Sequence, residues 1–420
     1  MRILHLSWEY PPLVYGGLGR HVAALTRAQA DAGHEVTVLT QTENDAGVEE
    51  SDGIRVIRVL RQGSQLQFGG DDIPRWVDGL EAALIAAAEE LAQDYQPDVV
   101  HAHDWMVTKA ALAARRLFHR PLVATIHATE VGRHQGWLPN DLSQELHSRE
   151  WTLSNSANRV IICSGAMKYE VEQLFDLPEE QIAAVSNGID LSAWELVPTD
   201  RDAARQKYAK TGPLLVQTGR LEWEKGVDLL LAAVPQLRQH YPGLRVVVAG
   251  RGTMAADFRL LTTEMGIQDS VEFLGWMSDD ELRGLIAAAD AVVVPSRYEP
   301  FGLVALEAAA LGSPVVVAET GGLSEIADGG RVALTFATED EASLAAAVRR
   351  TLDNPSDTKQ RVATAQQELI GKYGWDRVAT LTVEVYQDAA ADYERHGDRQ
   401  RVEPVWPTPG TRVLPEKSGT

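Results

Sequence analysis

Short apolar runs alternate with longer amphipathic segments along most of the chain. In the first half the runs that predict strands are RILHLSW, EVTVL, IRVIRVL, DVVHAH, PLVATIH, RVIICS and IAAVSNG. Segments such as HVAALTRAQADAG and WVDGLEAALIAAAEELAQDY lie between several of them and predict helices. Near-continuous apolar strands separated by helices are typical of parallel sheets that are covered on both faces. The pattern therefore predicts an α/β fold.

The alternation stops once and then restarts. The stretch from Glu195 to Pro213 is polar, charged and bounded by prolines, so we interpret it as an interdomain linker with one helical turn. The strands predicted after it are PLLVQTG, LRVVVAG, VEFLG, AVVVPS, PVVVAE and VALTFA. We therefore predict two doubly wound, Rossmann-like domains, at residues 1–195 and 213–374, joined by a linker at 196–212 and facing a central cleft. Ligands bind such sheets at the carboxyl ends of the strands.

Two further segments follow the second domain. Residues 375–396, WDRVATLTVEVYQDAAADYERH, predict one long helix that we expect to cross back to the N-terminal domain. The remaining residues, 397–420, are rich in proline, glycine and charge, and we predict that they are disordered.

Composition narrows the class of protein. The net charge of -21 argues against nucleic acids and anionic membranes as general partners, because both favour basic surfaces. No apolar run reaches the roughly 18 residues of a membrane helix, so we expect no integral membrane association. The first residues do not resemble a signal peptide. The one cysteine, Cys163, allows no intrachain disulfide or cysteine-based zinc site. We expect a cytoplasmic protein.

A glycine-rich turn follows the first predicted strand. Gly16, Gly17 and Gly19 precede a predicted helix, where backbone N–H groups can approach a phosphate. A dinucleotide fingerprint would need a glycine in place of Val22 and an acid at the end of the second strand, where the nearest is Glu43. The sequence therefore disfavours NAD binding. A plain tight turn stays as the alternative.

Histidines and an acid stand at later strand ends. His101, His103 and Asp104 end one predicted strand, and His127 follows the next. A His-x-His pair can bind a metal because both side chains share one face of a strand. Since only His127 adds a suitable ligand, we favour buried polar or substrate-contacting side chains and predict no metal.

The second half carries the residues that suit a nucleotide. Arg220 and Lys225 lie on a glycine-containing strand-to-helix loop, as a diphosphate site requires, although a solvated loop with stray charges is the alternative. Glu299 precedes a proline and a glycine at a predicted helix start, where the helix dipole favours a phosphate. Glu307, two turns into the helix, could accept hydrogen bonds from a ribose diol. The alternative makes both acids helix-start residues, which explains Glu299 but not Glu307.

These residues form motifs of a known family. SRYEPFGLVALEA resembles the Glu-x7-Glu motif of retaining GT-B glycosyltransferases, in the family that includes bacterial glycogen synthases and sucrose-phosphate synthases. The resemblance also covers EYPPLVYGGLGRHV, VVHAHDW, TIHATEVGRHQGW, NGID and GRLEWEKG. SWEYPP together with HATEVGRHQGW is most similar to actinobacterial glycogen synthase-like enzymes that extend α-1,4-glucans, including those tied to methylglucose lipopolysaccharide.

The resemblance implies roles at the donor. It assigns the diphosphate to Arg220 and Lys225, the ribose to Glu307, the transferred sugar to Glu299, and contacts with sugar and phosphate to the backbone of Phe301, Gly302 and Leu303. Gly17 would approach the phosphates from the N-terminal domain. Arg251 stands where the family more often has an acid near the base and ribose, which leaves the nucleotide open between UDP, ADP and GDP.

The resemblance also implies roles at the transferred sugar and at the acceptor. His127 would contact the 6-hydroxyl of the sugar and act with Arg220, Lys225 and Glu299 in catalysis. Asp104, Glu130 and Arg133 would bind the acceptor.

Together these roles imply a glucosyltransferase that uses UDP-glucose or ADP-glucose and extends the non-reducing end of an α-1,4-glucan. The nucleotide-sugar is a substrate, and no cofactor or metal is expected. A small acceptor, as in the synthesis of maltose-1-phosphate or sucrose phosphate, is an alternative. A lipid acceptor would use the basic segment KAALAARRLFHR at a membrane, although we favour a solvated helix face there. A carbohydrate-binding protein without catalysis is the non-enzyme alternative. The sequence does not indicate an oligomeric state.

Overall fold

The chain forms two compact units. The structure is a computed structural model that describes residues 1–63, 72–194, 198–209, 211–398 and 406–415. The two units, divided by their internal contacts, are Met1–Gly188 with Trp375–Thr420, and Ile189–Gly374.

The first unit is built on a sheet of eight strands in the order β3-β4-β2-β1-β5-β6-β8-β9. All neighbouring strands are parallel except β3 and β4. The strands of this unit that precede its last helix are β1 (Arg2–Leu6), β2 (Glu35–Thr42), β3 (Gly47–Ser51), β4 (Ile54–Leu60), β5 (Val99–His103), β6 (Leu122–Ile126), β7 (Trp137–Leu138), β8 (Arg159–Ile162) and β9 (Ile182–Ala184). The strand order reverses direction between β1 and β5, which is where ligands of such sheets bind.

Helices flank this sheet. They are α1 (Gly17–Asp31), α2 (Ile73–Leu91), α3 (Thr108–Phe118), α4 (Glu130–Arg133), α5 (Asp141–Ser156), α6 (Gly165–Phe175) and, from the end of the chain, α15 (Trp375–His396). Asn140 and Ser164 start α5 and α6 by accepting hydrogen bonds from backbone N–H groups. Val378 and Tyr386 of α15 pack in one apolar cluster with Ile3 of β1. The prediction that the C-terminal helix returns to the N-terminal domain is therefore confirmed.

The second unit is built on six parallel strands in the order β12-β11-β10-β13-β14-β15. They are β10 (Leu214–Thr218), β11 (Arg245–Ala249), β12 (Val271–Gly275), β13 (Ala291–Val294), β14 (Val315–Ala318) and β15 (Leu334–Phe336). The helices are α7 (Pro198–Tyr208), α8 (Val227–His240), α9 (Ala255–Glu264), α10 (Asp279–Ala288), α11 (Leu303–Ala310), α12 (Gly321–Ala327), α13 (Glu341–Asp353) and α14 (Pro355–Lys372). The strand order reverses between β10 and β13. Both units therefore have the predicted doubly wound α/β architecture.

The predicted linker has more structure than one helical turn. Its residues from 198 to 208 form the 11-residue helix α7, which packs on α10 of the second unit. Arg205 stabilises this contact, because its Nη1 donates to the carbonyl of Ala288, the last residue of α10, at 3.3 Å and pairs with Asp290 just after it at 2.6 Å. The sequence did not predict the helix because most of its side chains are polar and its packing partner lies far along the chain.

The prediction of a disordered C-terminus is wrong for residues 406–415. Thr411–Arg412 form strand β16, which pairs antiparallel with β7. The ring of Trp406 packs edge-on against Trp151, with centroids 5.7 Å apart. These contacts order residues 406–415 although their content of proline, glycine and charge suggested disorder. The rest of that prediction falls mostly on residues 399–405 and 416–420, which lie outside the described residues.

The basic segment after residue 108 forms a helix, but the predicted solvated face does not hold for all of its cations. In α3, Arg115 is buried and its Nη1 donates to the carbonyl of Ser156, while Lys109 pairs with Asp78 at 2.6 Å. No helix within the described residues is both long enough and apolar enough to span a membrane.

Candidate active site

The loop after β10 brings two predicted donor residues to the point where the strand order reverses. Lys225 Nζ lies 2.8 Å from Glu299 Oε2, across the paired strands β10 and β13. Ser296 donates a hydrogen bond to the same carboxylate oxygen at 3.1 Å. Arg220, at the start of the loop, pairs with Glu224 at 2.7 Å and is about half exposed. The structure thus joins Lys225 and Glu299, which the sequence placed in separate motifs.

Arg297 anchors this site and was missed from the sequence. Its guanidinium is buried and bonds to both oxygens of Asp228, at 2.7 and 2.6 Å, and to Glu339. It also lies over the ring of Trp223, 4.7 Å from the centroid. Burial disfavours the charge, but the two carboxylates outweigh it and hold the pKa of Arg297 above its usual value. Arg297 therefore ties the β10 loop to the β13 loop. The position of Arg297, directly after the predicted strand AVVVPS, was the signal that could have indicated its role.

The start of α11 depends on glycine. Gly302 caps the helix with a φ of 117°, and a Cβ there would lie 2.6 Å from Leu323 Cδ2. The next helix start packs on the same loop, since the N–H of Gly322 donates to the carbonyl of Glu299 at 3.0 Å. The first N–H groups of α11, beginning at Leu303, have no partner inside the helix, and the helix dipole makes this end positive. Phe301, directly before the cap, is buried.

The remaining predicted donor residues lie at the same edge of the sheet. Glu307 is in the second turn of α11 and is half-buried. Arg251, after β11, is exposed, and its carbonyl accepts from the N–H of Leu221 at 2.8 Å. The carboxyl ends of β11, β10 and β13 therefore present Arg251, Arg220, Lys225, Glu299 and the start of α11 side by side.

A cavity elsewhere in this unit is separate from these residues. It has a volume of about 530 Å³ and is lined by Lys207, Arg238, Gly243 and Arg245, among others. It lies at the amino ends of β10 and β11, whereas ligands of such sheets bind at the carboxyl ends. We therefore do not assign it to the active site.

In the first unit, a buried carboxylate organises the glycine-rich turn. Glu9 Oε2 accepts hydrogen bonds from the backbone N–H groups of Tyr15 and of Gly16, the latter at 3.1 Å. Burial raises the pKa of Glu9, and hydrogen bonds from the turn, including one from Gly19, oppose that rise. The carboxylate occupies N–H groups that the sequence suggested for a phosphate. Gly17, which the sequence predicted to contact the donor phosphates, is the first residue of α1 and follows Gly16 in the chain.

Asp104 positions the loop that carries His127. Its carboxylate is buried, and Oδ1 accepts from the backbone N–H of His127 at 2.8 Å. Burial raises the pKa of Asp104 to about 6, although hydrogen bonds from His127 and Ala128 and the charge of Arg133 oppose the rise. The structure thus brings Asp104 and His127 together at the ends of β5 and β6.

The predicted acceptor residue Glu130 lies in a polar cluster. It accepts from Ser143 Oγ at 2.7 Å and bonds to His134 Nε2 at 3.0 Å. Burial would raise the pKa of Glu130, but His134, Ser143 and Arg133 outweigh it and lower the pKa. Glu150, which the sequence did not suggest, accepts from the N–H of Glu130 at 2.8 Å. Burial and the charge of Glu130 hold the pKa of Glu150 well above its usual value.

Four further histidines, His5, His21, His101 and His103, pack together with His127. Among the described residues, two groups of three could approach a metal: His5 with His101 and His103, and His21 with His103 and His127. In each group the ring nitrogens lie within 4.8 Å of one another. However, both ring nitrogens of His5, His101 and His103 already have hydrogen-bond partners in the protein. The expectation of a site without metal stays a prediction.

Comparisons with known proteins identify the family and the fold. The profile of Glycosyltransferase Family 4 matches residues 15–193, and that of Glycosyl transferases group 1 matches residues 200–368. The chain is 41% identical over 413 residues to the glycogen synthase of Mycobacterium tuberculosis (strain CDC 1551 / Oshkosh), which covers 95% of this chain and 96% of the relative. It is 34% identical to an uncharacterized glycosyltransferase of Methanocaldococcus jannaschii, over 93% of this chain and 98% of the relative.

Solved structures share the fold. Sucrose-phosphate synthase from Thermosynechococcus elongatus superposes with a TM-score of 0.80 at 24% identity, covering 93% of this chain and 99% of that one. The catalytic domain of starch synthase IV from Arabidopsis thaliana gives 0.75 at 21% identity, covering 93% of this chain and 99% of that one. The fold of this protein is therefore that of the GT-B glycosyltransferases. The chain belongs to the glycosyltransferase family defined by the group 1 and Family 4 profiles, as its motifs predicted.

Proposed function

We propose that this glycosyltransferase moves glucose from UDP-glucose or ADP-glucose, with retention of configuration, to the non-reducing end of an α-1,4-glucan. The observation that carries the proposal is the Lys225–Glu299 pair beside the positive end of α11, at the reversal point of the second sheet. The similarity to a glycogen synthase over nearly the whole chain supports the acceptor.

The donor would bind along the carboxyl ends of β10, β11 and β13. Arg220 and Lys225 would hold the diphosphate, since charge-assisted hydrogen bonds to phosphate are stronger than neutral ones. The first turn of α11 would add backbone N–H groups and the helix dipole. Glu307 would accept hydrogen bonds from the ribose. Arg251, after the carboxyl end of β11, would contact the base or ribose.

Glu299 would exchange partners when the donor binds. It is paired with Lys225 in the free protein. A diphosphate would compete for Lys225, because it carries more negative charge than one carboxylate. Glu299 would then be available to accept hydrogen bonds from hydroxyls of the transferred sugar.

The reaction would need no protein nucleophile. The bond from the anomeric carbon to the diphosphate breaks, and a bond to the acceptor hydroxyl oxygen forms on the same face. The departing diphosphate oxygen takes the proton of that hydroxyl, so charge and atoms balance. Catalysis would rest on positioning and on stabilisation of the leaving charge by Arg220 and Lys225. No cofactor or metal has a step in this scheme.

The first unit would supply the contacts to the sugar and the acceptor. His127 would contact the transferred sugar, and Asp104 would hold the His127 loop by the hydrogen bond described above. Glu130 and Arg133 would contact the acceptor glucan. Gly17 would approach the donor phosphates.

A smaller, phosphorylated acceptor is the second candidate. The D-inositol 3-phosphate glycosyltransferase of Frankia alni is 31% identical, over 89% of this chain and 95% of the relative. The higher identity to a glycogen synthase favours the glucan. A lipid acceptor bound through α3 is disfavoured by the burial of Arg115, and membership of the glycosyltransferase family argues against a protein that only binds carbohydrate.

The test combines donors and acceptors. UDP-glucose, ADP-glucose and GDP-glucose are each incubated with a maltooligosaccharide labelled at its reducing end, and the products are separated by length. We expect a ladder of added glucose units that β-amylase digests from the non-reducing end. Proton NMR of the first product should show an α linkage. Transfer to inositol phosphate or glucose phosphate, with no ladder, would support the second candidate and contradict the first.

A further inference from the structure

A continuous line of buried polar groups runs through the first unit from Thr125 to His127. Besides these two residues it contains His5 on β1, Gln29 on α1, His101 and His103 on β5, and Tyr386 on α15. Every member except His127 is at least 97% buried. The contacts in order are His127 Nε2 to His103 Nδ1 (3.4 Å), His103 Nε2 to His5 Nδ1 (3.0 Å), His5 Nε2 to Gln29 Oε1 (2.8 Å), Gln29 Nε2 to Tyr386 Oη (3.0 Å), Tyr386 Oη to His101 Nδ1 (2.7 Å) and His101 Nε2 to Thr125 Oγ1 (2.7 Å). We call this line the histidine chain.

The histidines of the chain are neutral near pH 7. Burial lowers the pKa of His5 to about 4 and that of His127 to about 3. Burial, together with the neighbouring rings, holds the pKa of His101 and of His103 well below the usual value. A neutral imidazole has one N–H donor and one acceptor nitrogen. Each ring that accepts a hydrogen bond at one nitrogen must therefore donate at the other, so all the bonds along the histidine chain share one donor-to-acceptor direction.

Gln29 sets that direction. Its Nε2 donates to Tyr386, so its Oε1 faces His5 and can only accept. His5 must then carry its proton on Nε2 and accept at Nδ1. By the same reasoning His103 carries its proton on Nε2 and accepts at Nδ1, where the donor is His127 Nε2–H. On the other side Tyr386 donates to His101, and His101 donates to Thr125. All six hydrogen bonds run in one direction.

We propose that the histidine chain fixes His127 as its Nε2–H tautomer and leaves the Nδ1 lone pair for a hydroxyl of the transferred sugar. Within the described residues Nδ1 of His127 has no hydrogen-bond partner. Gln29, His5 and His103 are positioning residues that act through His127. The proposal rests on the proposed function only in assigning the sugar as the partner of His127.

A nitrogen of His127 that can only accept hydrogen bonds would discriminate between donor sugars. An imidazole lone pair accepts from a hydroxyl, but it repels a carboxylate, which near pH 7 can only accept. The site should therefore take nucleotide-glucose and reject nucleotide-glucuronic acid, which has a carboxylate in place of the 6-hydroxyl. If the chain ran in the opposite direction, His127 would present an N–H and this preference would weaken.

The tautomer can be measured without any substrate. Long-range proton–nitrogen NMR spectra of the full chain labelled with ¹⁵N-histidine distinguish protonated from unprotonated ring nitrogens, and His127→Asn identifies the signals of that ring. We expect Nε2–H at His127 in the wild type. In Gln29→Leu, which removes the residue that sets the direction, we expect both tautomers. In Gln29→Glu, whose carboxylate can accept from His5, we expect Nε2–H again.

Gln181→Leu is the matched control. Gln181 is also a buried glutamine of the first unit, but it donates to the carbonyls of Ser154 and Ala157 rather than to a side chain. Its loss should destabilise the unit without changing the His127 tautomer. In kinetic assays the preference for UDP-glucose over UDP-glucuronic acid, as a ratio of kcat/KM, should fall about tenfold in Gln29→Leu and stay unchanged in Gln181→Leu.

Three results would overturn the proposal. The first is an Nδ1–H tautomer at His127 in the wild type. The second is a single, unchanged tautomer in Gln29→Leu. The third is a stoichiometric divalent metal in the purified protein that shifts the His103 and His127 signals when a chelator removes it, because a metal would replace the hydrogen bond between them. If the expected tautomers are found but no glucosyl transfer occurs, the proposed function would be contradicted, while the proposed role of the histidine chain would stand.

Discussion

At the scale of single residues, the site depends on a few backbone positions that only glycine suits and on side chains that hold loops in place. Gly302 caps helix α11 with a left-handed backbone, and its neighbours leave no room for a side chain. Asp104 holds the loop of His127 through a backbone hydrogen bond. Each of these residues can be tested by one substitution.

Gly302→Ala should destabilise the second unit. The positive φ and the contact of 2.6 Å with Leu323 both oppose a Cβ, so we expect the free energy of unfolding to fall by about 1–3 kcal/mol. Unfolding followed by circular dichroism measures the change. Gly371→Ala is the control, because this glycine lies in helix α14 with open space around its Cβ position, and alanine there should stabilise by about 0.5–1 kcal/mol. Equal stability of the two variants would contradict the account of Gly302.

Asp104→Asn should change the dependence of activity on pH. The pKa of Asp104 is raised from 3.8 to about 6, so in the wild type the carboxylate gains a proton and loses its charge as the pH falls through 6. We expect kcat to fall with it, because the His127 loop loses its charged anchor. The asparagine variant should lack this acid limb and have about a tenfold lower kcat at pH 8. An unchanged acid limb in the variant, with both proteins folded by circular dichroism, would assign the limb to another group.

At the scale of elements, β1, β5, β6, α1 and α15 meet around a layer of buried histidines. Burial lowers the pKa values of His5, His21, His101, His103 and His127. The folded protein therefore binds fewer protons at these rings than the unfolded chain does below about pH 6.5. Their contribution to stability is present above pH 6.5 and is lost as the pH falls.

The free energy of unfolding should thus decrease steeply between pH 6.5 and 5. Each buried histidine contributes up to about 1.4 kcal/mol per pH unit to this slope. In His101→Asn the slope should be smaller by about that amount, while between pH 7.5 and 8.5 both proteins should show the same slope. Denaturant unfolding at several pH values provides the measurement. A slope in the acidic range that is equal in the two proteins would show that His101 is not neutral in the folded state.

At the scale of the whole molecule, the sequence predicted the α/β architecture and the strand ends at which the candidate donor residues lie. Parallel strands buried on both faces appear as apolar runs, and their carboxyl ends mark where Arg220, Lys225 and Glu299 had to be. The sequence did not predict side-chain pairs whose members lie far apart along the chain. The bonds of Arg297 to Asp228 and Glu339 and the docking of Trp406 join segments far apart along the chain.

Local chemistry also misled in places. The glycine turn suggested N–H groups of Gly16, Gly17 and Gly19 open to phosphate, but the carboxylate of Glu9, only a few residues away, accepts hydrogen bonds from those of Gly16 and Gly19. The polar stretch after residue 195 suggested a linker with one helical turn, but a helix forms there because α10 offers a packing surface.

The most direct test of the central claim is the dependence of glucan extension on Lys225. The rate of glucose transfer from UDP-glucose or ADP-glucose to maltooligosaccharides should be compared in the wild type, Lys225→Ala and Lys359→Ala, the last changing an exposed lysine of α14. We predict that Lys225→Ala lowers kcat by about 10²–10³-fold, since it removes a charge that stabilises the leaving diphosphate, while Lys359→Ala keeps the wild-type rate. Near-wild-type extension by a folded Lys225→Ala protein would contradict the assignment of the donor site.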